Sequence, residues 1–295
     1  MGRSRDRKGT RNGKVPAYGY PEAAAGALAR AAKYGEWRSA PRGEVPGFPD
    51  LAAAPTQARA ALRAFLATTP GGGWLPAHDM ALLLLLYGIP LVATAAARTE
   101  DEAVSAAGAA GYPVVLKADV PGLVHKTEAG AVLLDVRTQD GVRAGYRRLA
   151  SLFGARLAGV LVQPMITGGT EVIIGVQDDQ MFGPLVVFGP GGVATEVLAD
   201  HAARLAPLTE TDADMLIDSI GSAPLLHGYR GSPAADLAAL RDVLMRVSRL
   251  ADDLPEITEL DLNPVIAHPD GVVAVDARIR VAAQVPQDPF LRRLR

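Results

Sequence analysis

The chain has 295 residues, enough for one large domain or two medium ones, and its 49% hydrophobic and 21% charged residues exclude a disordered protein. A formal net charge of −2 excludes a positive field over the whole molecule of the kind that attracts nucleic acid. The absence of cysteine excludes disulfides, thiolate nucleophiles and cysteine-ligated metals, and it agrees with the cytoplasmic location that we expect.

Residues 1–50 are interpreted as a basic tail and linker. Residues 1–14 carry six Lys or Arg and one Asp but no aromatic residue. Such a segment is either a disordered tail or an arm that binds nucleic acid; we favour the tail and expect no nucleic-acid partner. No apolar stretch follows it, so no secretory signal is visible. A short Ala-rich helix and a Pro/Gly-rich linker complete this part.

From about residue 50 the pattern becomes regular. Helices are predicted at 56–69, 79–87 and 99–110, with a strand at 89–93. Thr99 followed by Glu102 is typical of a capping box at the third helix. The uncharged run 80–97 is interrupted by Gly88-Ile89-Pro90, which leaves less than the roughly 20 residues a membrane span needs, so we expect no membrane partner.

The second half alternates strand clusters with helix pairs. Strands are predicted at 113–117, 131–136, 159–165, 170–176, 183–189, 203–208, 256–262 and 271–277, and helices at 138–153, 211–220 and 234–252. This mixture indicates an α+β protein of two subdomains. We place the main domain at 51–285, followed by a C-terminal tail at 286–295.

The last two strands form a predicted hairpin rich in carboxylates. Side chains alternate faces along a strand, so Asp261 and Asn263 share one face. A turn centred between residues 269 and 270 places Asn263 opposite Asp276, and Asp261 opposite Arg278.

Two interpretations of this face remain open. Oxygen ligands without His or Cys suit Mg²⁺, which Asn263 and Asp276 would bind with Asp261 beside them. Alternatively, the face is solvated and holds a ladder of ion pairs. Pro264 could also introduce a bulge that shifts the register.

Two further features have a functional and an ordinary interpretation. Gly189, Gly191 and Gly192 end an apolar strand, where they form either an ordinary turn or a loop whose N–H groups receive a phosphate. Lys117 is the only charge on its strand, and it either reaches solvent or meets an anion.

A histidine occupies the connection between the strands at 113–117 and 131–136. His125 is one of five histidines in the chain, in the segment PGLVHKTEAGAV. On spacing alone, it either hydrogen-bonds a carbonyl or takes part in chemistry, for which a neutral imidazole is suited near pH 7.

Together these segments resemble the ATP-grasp domain of ADP-forming acyl-CoA synthetases and, more distantly, the succinyl-CoA synthetase β subunit. The resemblance covers about residues 60–282 and rests on GYPVVLK, HKTEAGAV, GVLVQPMITGGTEVIIGVQDDQMFGPLVVFGPGG, RLAPL, ELDLNP and VDARI. It implies an ATP-grasp fold, in which two α/β subdomains clamp ATP or ADP together with Mg²⁺. Residues 15–47 resemble the end of the preceding CoA-ligase domain of single-chain members.

The resemblance also implies binding residues. Lys117 is expected to contact phosphate oxygens, and Gly189, Gly191 and Gly192 to lie near the phosphates. The remaining expected nucleotide contacts are Gln163, Pro164 and Met165 at the adenine through the hinge backbone, and Glu171 at the ribose or adenine. Asn263 and Asp276 are the expected magnesium ligands, with Asp261 bound to the metal or adjacent to a ligand.

The implied reaction is acyl-CoA + ADP + phosphate giving acid + CoA + ATP, through an acyl phosphate and a phosphohistidine on the ligase module. His125 is a candidate second phosphoryl carrier, near the nucleotide, and Glu196 and Arg204 are expected in the transfer pocket. Glu128 and Ala131 depart from the family's loop, which has Asp and Gly at these positions.

The resemblance finally implies a partner. The chain has no CoA-binding or ligase domain of its own, so we expect such a domain or subunit as its partner, within an oligomer. One alternative is a non-catalytic nucleotide-binding module associated with a protein lysine acetyltransferase. Another is an ATP-grasp ligase that joins a carboxylate to an amine.

Overall fold

The computed structural model describes residues 18–39, 43–122, 129–179, 181–192 and 200–283, and two short strands before them. The chain divides into two compact units, Met1–Gly43 and Glu44–Arg295. In the first unit, strand β1 (Arg7–Lys8) pairs antiparallel with β2 (Lys14–Val15). Helix α1 (Pro21–Ser39) follows and is longer than the short helix predicted there. The domain boundaries at residues 50 and 285 stay predictions.

The second unit holds the remaining elements. Its helices are α2 (Ala54–Thr68), α3 (Ala77–Leu86), α4 (Glu100–Ala110), α5 (Gln139–Phe153), α6 (Glu210–Ser219), α7 (Ala223–Leu226) and α8 (Leu237–Asp253). Its strands are β3 (Gly73–Trp74), β4 (Ala95–Ala97), β5 (Val114–Asp119), β6 (Val132–Val136), β7 (Gly159–Pro164), β8 (Thr170–Asp179), β9 (Gly183–Pro190), β10 (Ala202–Leu205), β11 (Ile257–His268), β12 (Gly271–Ala274) and β13 (Ala277–Val281). The α+β class is therefore confirmed.

The larger sheet has seven strands in the order β10-β9-β8-β11-β13-β3, with β12 also paired to β11. Along β8, Val172, Ile174 and Val176 are buried while the residues between them are more exposed, which is the period of two expected for a half-covered strand. The buried face forms one core with α2, α3, α6, α7 and α8.

The smaller sheet has four strands in the order β4-β7-β5-β6, all antiparallel. Helices α4 and α5 cover one face and form a separate core with it. Thr99 and Thr138 cap these helices through their hydroxyls, as the sequence predicts for Thr99. The Glu102 carboxylate, however, accepts from the Arg98 N–H, so the second half of the predicted capping box is shifted by one residue.

The predicted strand at 89–93 is wrong. Within this segment only Leu91 makes a bridge, to Ala274 of the larger sheet. Two backbone hydrogen bonds support it, from Val92 N–H to the Ala274 carbonyl (2.9 Å) and from Ala274 N–H to the Pro90 carbonyl (2.9 Å). Because Pro90 has no N–H, it cannot complete a ladder. The segment instead crosses from one sheet to the other, and the strand forms later, at β4.

The register of the C-terminal hairpin is confirmed. Asp261 pairs with Arg278, and the Asn263 N–H donates to the Asp276 carbonyl at 3.1 Å. The predicted second strand is divided into β12 and β13 by residues 275–276. On its other side β11 shifts register against β8 between Leu262 and Val265. The irregularity foreseen at Pro264 thus affects the pairing with β8 only, and residues 263 and 264 together oppose one residue there.

Arg246 of α8 fastens the segment before α2 to this core. Its guanidinium donates to Asp50 (2.8 Å), Asp242 (2.6 Å) and the Tyr87 carbonyl (3.1 Å). It also lies over the Phe48 ring, 5.0 Å from the ring centroid. The hydrogen bond from Arg246 lowers the pKa of Asp50, so this carboxylate stays ionised below its ordinary range.

Within the described ranges, no helix is both long enough and apolar enough to cross a membrane. The apolar run at 80–97, tested for this above, supplies the end of α3, the crossing segment and β4.

Candidate functional site

Lys117 lies where the two sheets of the second unit meet. Its side chain is buried on β5, with 6% of its surface exposed. The ammonium donates to the Val275 carbonyl at 3.1 Å, and its nitrogen is 3.8 Å from Oδ2 of Asp276. Burying an ammonium is costly unless it is paired and hydrogen-bonded. The two described partners both lie at the break between β12 and β13 of the larger sheet, so this charge on the smaller sheet sits where the two sheets meet.

Gln163 of β7 shares this location. It pairs with Val115 and therefore faces the same side of the smaller sheet as Lys117. Its amide nitrogen donates to Thr94 Oγ1 (2.7 Å) and to the Val275 carbonyl (3.4 Å). Its carbonyl oxygen, Oε1, is buried and has no hydrogen-bond partner in the structure. A buried acceptor without a donor is uncommon in folded proteins, and a donor from water or from a bound ligand would satisfy it.

The next two hinge residues offer no free donor to a base. Pro164 has no N–H, and the Met165 N–H donates to the Pro113 carbonyl at 2.9 Å. The family resemblance implies that Gln163, Pro164 and Met165 contact adenine through the hinge backbone. Neither Pro164 nor Met165 has a backbone N–H left to donate to the base. The Gln163 side chain is therefore the better candidate for a contact with adenine.

The hairpin face bears out the ion-pair interpretation at Asp261, while the magnesium interpretation at Asn263 and Asp276 stays a prediction. Arg278 donates to Asp261 at 2.7 Å and lies over the Trp74 ring at 5.4 Å, so Asp261 belongs to an ion pair. Asn263 is exposed, and Asp276 is about one-third exposed. The described ranges contain no group of three His, Asp or Glu residues that could hold a metal. Two side-chain oxygens alone fit Mg²⁺ bound with phosphates and water, which is its usual arrangement.

The glycine loop lies against Glu171. The Gly191 N–H donates to the Glu171 carbonyl at 2.8 Å. A Cβ on Gly191 would lie 2.9 Å from the Glu171 backbone, and one on Gly192, where φ is +68°, would lie 2.9 Å from the Glu171 carboxylate. Only glycine fits here. The carboxylate beside Gly192 makes this end of the loop a poor site for a phosphate unless a cation is also bound.

Asp200 resumes the described chain after this loop and is held by residues before α7. Its carboxylate accepts from the Gly221 N–H (2.7 Å), the Ser222 N–H (3.0 Å) and the Ser222 hydroxyl (3.0 Å). The Gly221 hydrogen bond is the largest cause of its lowered pKa, followed in the same direction by those of Ser222. These bonds give the carboxylate a structural role at the start of α7.

This pKa shift predicts acid sensitivity. A carboxyl whose pKa is lower when folded stabilises the protein above its unfolded pKa, 3.8 here, and that stabilisation is lost as the pH falls through the folded pKa. Asp200→Asn should therefore reduce stability at pH 6 and flatten its decline below about pH 4. Urea unfolding at several pH values from 6 to 3 measures this effect. The control is Asp270→Asn, because Asp270 is exposed, whereas Asp212→Asn would break a capping box. If the free energy of unfolding of Asp200→Asn fell below about pH 4 as steeply as that of the wild type, the stabilising role of the Asp200 carboxylate would be contradicted.

The remaining expected catalytic residues are not brought to Lys117 by the described contacts. His125 and Glu196 lie outside the described residues. Arg204 pairs with Val186, whose side chain is in the core, so the register places Arg204 on the covered face of the sheet. Its guanidinium donates to the Ala203 carbonyl at 3.0 Å.

Comparison with known proteins places this geometry in a family. The family profile of the ATP-grasp domain matches residues 66–281. The chain belongs to the ATP-grasp family. The resemblance and the fold inferred from the sequence are both confirmed.

The relatives of this ATP-grasp chain are ADP-forming ligases. It is 41% identical over 202 residues to the β subunit of acetate–CoA ligase [ADP-forming] I of Pyrococcus furiosus, covering 67% of this chain and 87% of that subunit. It is also 41% identical over 218 residues to acetate–CoA ligase [ADP-forming] I of Archaeoglobus fulgidus, covering 72% of this chain. It spans only 32% of that second relative, so the larger protein contains much that the match does not reach.

A solved structure shows the same fold. It is the dinucleotide-forming acetyl-coenzyme A synthetase 1 of Ca. Korarchaeum cryptofilum, in complex with coenzyme A, Ca-AMPCP and HgCl⁺. The TM-score is 0.71 and the identity 39%, over 75% of this chain and 99% of that one. A second structure of that synthetase, at TM-score 0.66 and 38% identity over 76% and 99% of the two chains, holds Mg-AMPPCP, and its phosphohistidine segment points towards the nucleotide-binding site.

Sequence reasoning missed two groups of the site. Thr94 orients the Gln163 amide, and the Val275 carbonyl receives both Lys117 and Gln163. Thr94 follows a segment predicted as an ordinary strand, and a backbone carbonyl has no sequence signature. The nearest available signal for Val275 was Pro264, which the hairpin register places opposite it and whose carbonyl accepts from the Val275 N–H at 2.9 Å.

Proposed function

We propose that this chain is the nucleotide-binding part of an ADP-forming acid–CoA ligase. It binds Mg·ATP or Mg·ADP where its two sheets meet and transfers a phosphoryl group between a phosphohistidine and the nucleotide. The overall reaction is acyl-CoA + ADP + phosphate giving acid + CoA + ATP. The observation that carries the proposal is the buried Lys117, held between the Val275 carbonyl and Asp276 of the opposite sheet. A fixed cation beside metal-type ligands is what a polyphosphate requires.

In this proposal each described residue has one task. Lys117 holds phosphate oxygens, Asn263 and Asp276 are the magnesium ligands, and Gln163 contacts the base. Asp261 orients Arg278 instead of binding metal directly, as their 2.7 Å contact suggests. Magnesium, when bound, would neutralise part of the negative charge of the phosphates. Gly189, Gly191, Gly192 and Glu171 form the wall beside the nucleotide.

We assign the transfer itself to His125. An imidazole nitrogen attacks the γ-phosphorus of ATP, so that a P–N bond forms while the bond to the β-phosphate oxygen breaks and ADP leaves. In the direction of ATP synthesis the same bonds exchange in reverse. Glu196 and Arg204 are proposed to act near the transferred group. For Arg204 this requires the guanidinium to leave the Ala203 carbonyl and reach around the edge strand.

Acid and CoA are proposed to bind mainly to a partner. The single-chain relative is about three times as long as the matched region, since the match spans 32% of it. The β-subunit relative is matched over 87% of its length, which supports a separate partner subunit with the CoA-binding and ligase functions. We propose a cytoplasmic location for this assembly, in agreement with the absence of cysteine.

Labelling distinguishes catalysis from mere binding. With γ-labelled ATP, Mg²⁺ and a ligase-module partner, the wild-type chain should acquire an acid-labile label. His125→Ala should lose at least about 99% of it, because no other group replaces a nucleophile (typical losses are a thousandfold or more). His78→Ala, at an exposed position of α3, is the matched control and should keep its label. Tight nucleotide binding without any label would instead indicate the regulatory, acetyltransferase-associated alternative.

A further inference from the structure

The amide of Gln163 is fixed in one orientation. The Val275 carbonyl can only accept a hydrogen bond, so the atom 3.4 Å from it must be the amide nitrogen and not Oε1. Thr94 gives the same answer, since its hydroxyl donates to the Val92 carbonyl (3.1 Å) and is left to accept from Gln163 (2.7 Å). Both N–H donors of the amide are thereby used within the protein.

What Gln163 offers to a ligand is therefore an acceptor alone. Its side chain is 5% exposed, and Oε1 is buried without a partner. A buried acceptor binds a ligand group that donates a hydrogen bond. It disfavours a ligand group that is itself an acceptor, because two desolvated acceptors would then face each other without a hydrogen bond. Lys117 meets the same Val275 carbonyl, so this acceptor lies beside the residue proposed to hold phosphate.

We propose that Gln163 and Thr94 select adenine nucleotides over 6-oxopurine nucleotides. Gln163 Oε1 accepts a hydrogen bond from the 6-amino group of adenine, where inosine and guanine carry an oxygen. Thr94 is a positioning residue that acts through Gln163, by preventing rotation of its amide. This inference rests on the proposed nucleotide function and adds the class of base to it.

The first test uses the wild-type chain and changes only the ligand. In calorimetric titrations with Mg²⁺, ITP should bind at least about tenfold more weakly than ATP, because its base carries an oxygen at C6 in place of the amino donor, together with a hydrogen on N1. Equal affinities within about twofold would overturn the inference. The 2′-deoxy and 3′-deoxy forms of ATP form a further arm: if they lose affinity while ITP does not, Oε1 serves the ribose and the inference is wrong.

Variants test the role of Thr94. Thr94→Val removes the oxygen that orients the amide and should bring the ATP-to-ITP preference to within about threefold, whereas Thr94→Ser keeps the oxygen and the preference. A merely structural role would lower affinity for both nucleotides without changing their ratio, and that result would overturn the assignment. Gln57→Leu, at an exposed position of α2, controls for loss of a glutamine. If wild-type chain binds neither nucleotide, the proposed function fails; if it binds both equally, only this inference fails.

Discussion

Asp276→Asn should lower the affinity for Mg·ATP about a hundredfold or more while the chain stays folded, because one ligand of a two-residue magnesium site loses its charge. The substitution keeps the shape of the side chain and its acceptor for the Ala277 N–H (3.1 Å). It removes the described ionic partner of Lys117 but leaves the hydrogen bond to Val275. Because Asp276 is about one-third exposed, the cost to unfolding should be only about 1 kcal/mol.

Titration calorimetry and thermal unfolding of the same samples measure both effects. Asp270→Asn, in the turn of the same hairpin, is the matched control and should bind as the wild type does. Lys117→Met should also lose nucleotide binding, and its cost to the stability of the free protein should be limited, because the Asp276 carboxylate left behind is about one-third exposed and the Val275 carbonyl keeps the Gln163 donor. Affinity for Mg·ATP within about threefold of wild type in Asp276→Asn would refute the assigned metal site.

Arg246→Ala should lower the free energy of unfolding by about 2–4 kcal/mol, which is large for a side chain outside the hydrophobic core. The guanidinium is 15% exposed and joins Asp50, Asp242 and the Tyr87 carbonyl at once. Its removal leaves a carbonyl without this donor and releases Phe48, which packs against the core. Denaturant unfolding gives the value directly.

Arg241→Ala provides the comparison on the same helix. Arg241 makes a single described ion pair, with Asp214 at 2.6 Å, and is one-third exposed. Its loss should cost at most about 1 kcal/mol, as is usual for a solvated pair. If the two variants proved equally stable, the several contacts of Arg246 would contribute no more than one surface pair, and its fastening role would be wrong.

The hairpin shows what the sequence can predict. Strand alternation and the position of the turn were enough to pair Asp261 with Arg278 and Asn263 with Asp276, because both rules act between near neighbours. The burial of Lys117 was left open, since a lysine that ends a strand can equally reach solvent. Its partners come from a different sheet, about 160 residues later, and only the packing of the two sheets brings them together.

The wrong strand at 89–93 and the contacts that the sequence did not settle at Asp261 and Arg204 have the same origin. Residues 89–93 are as apolar as a strand, but they cross between sheets, and hydrophobicity does not distinguish the two. Asp261 has the same chemistry as Asp276, yet Arg278 occupies one and not the other. For Arg204, a motif match gave a role, whereas strand pairing gives the face of the sheet on which the residue stands.

The Val275 carbonyl receives the two polar side chains that define the site, but it belongs to the main chain. Alanine scanning would consequently pass over position 275, since any residue presents the same oxygen there. What natural selection can act on is the bend that turns this oxygen towards Lys117, formed by residues 263–264 and 275–276. Sequence constraint at this site should therefore fall on the residues that shape this bend. An amide-to-ester replacement between residues 275 and 276 weakens the carbonyl as an acceptor. It should therefore reveal how much the hydrogen bonds from Lys117 and Gln163 contribute, which no side-chain substitution at 275 can do.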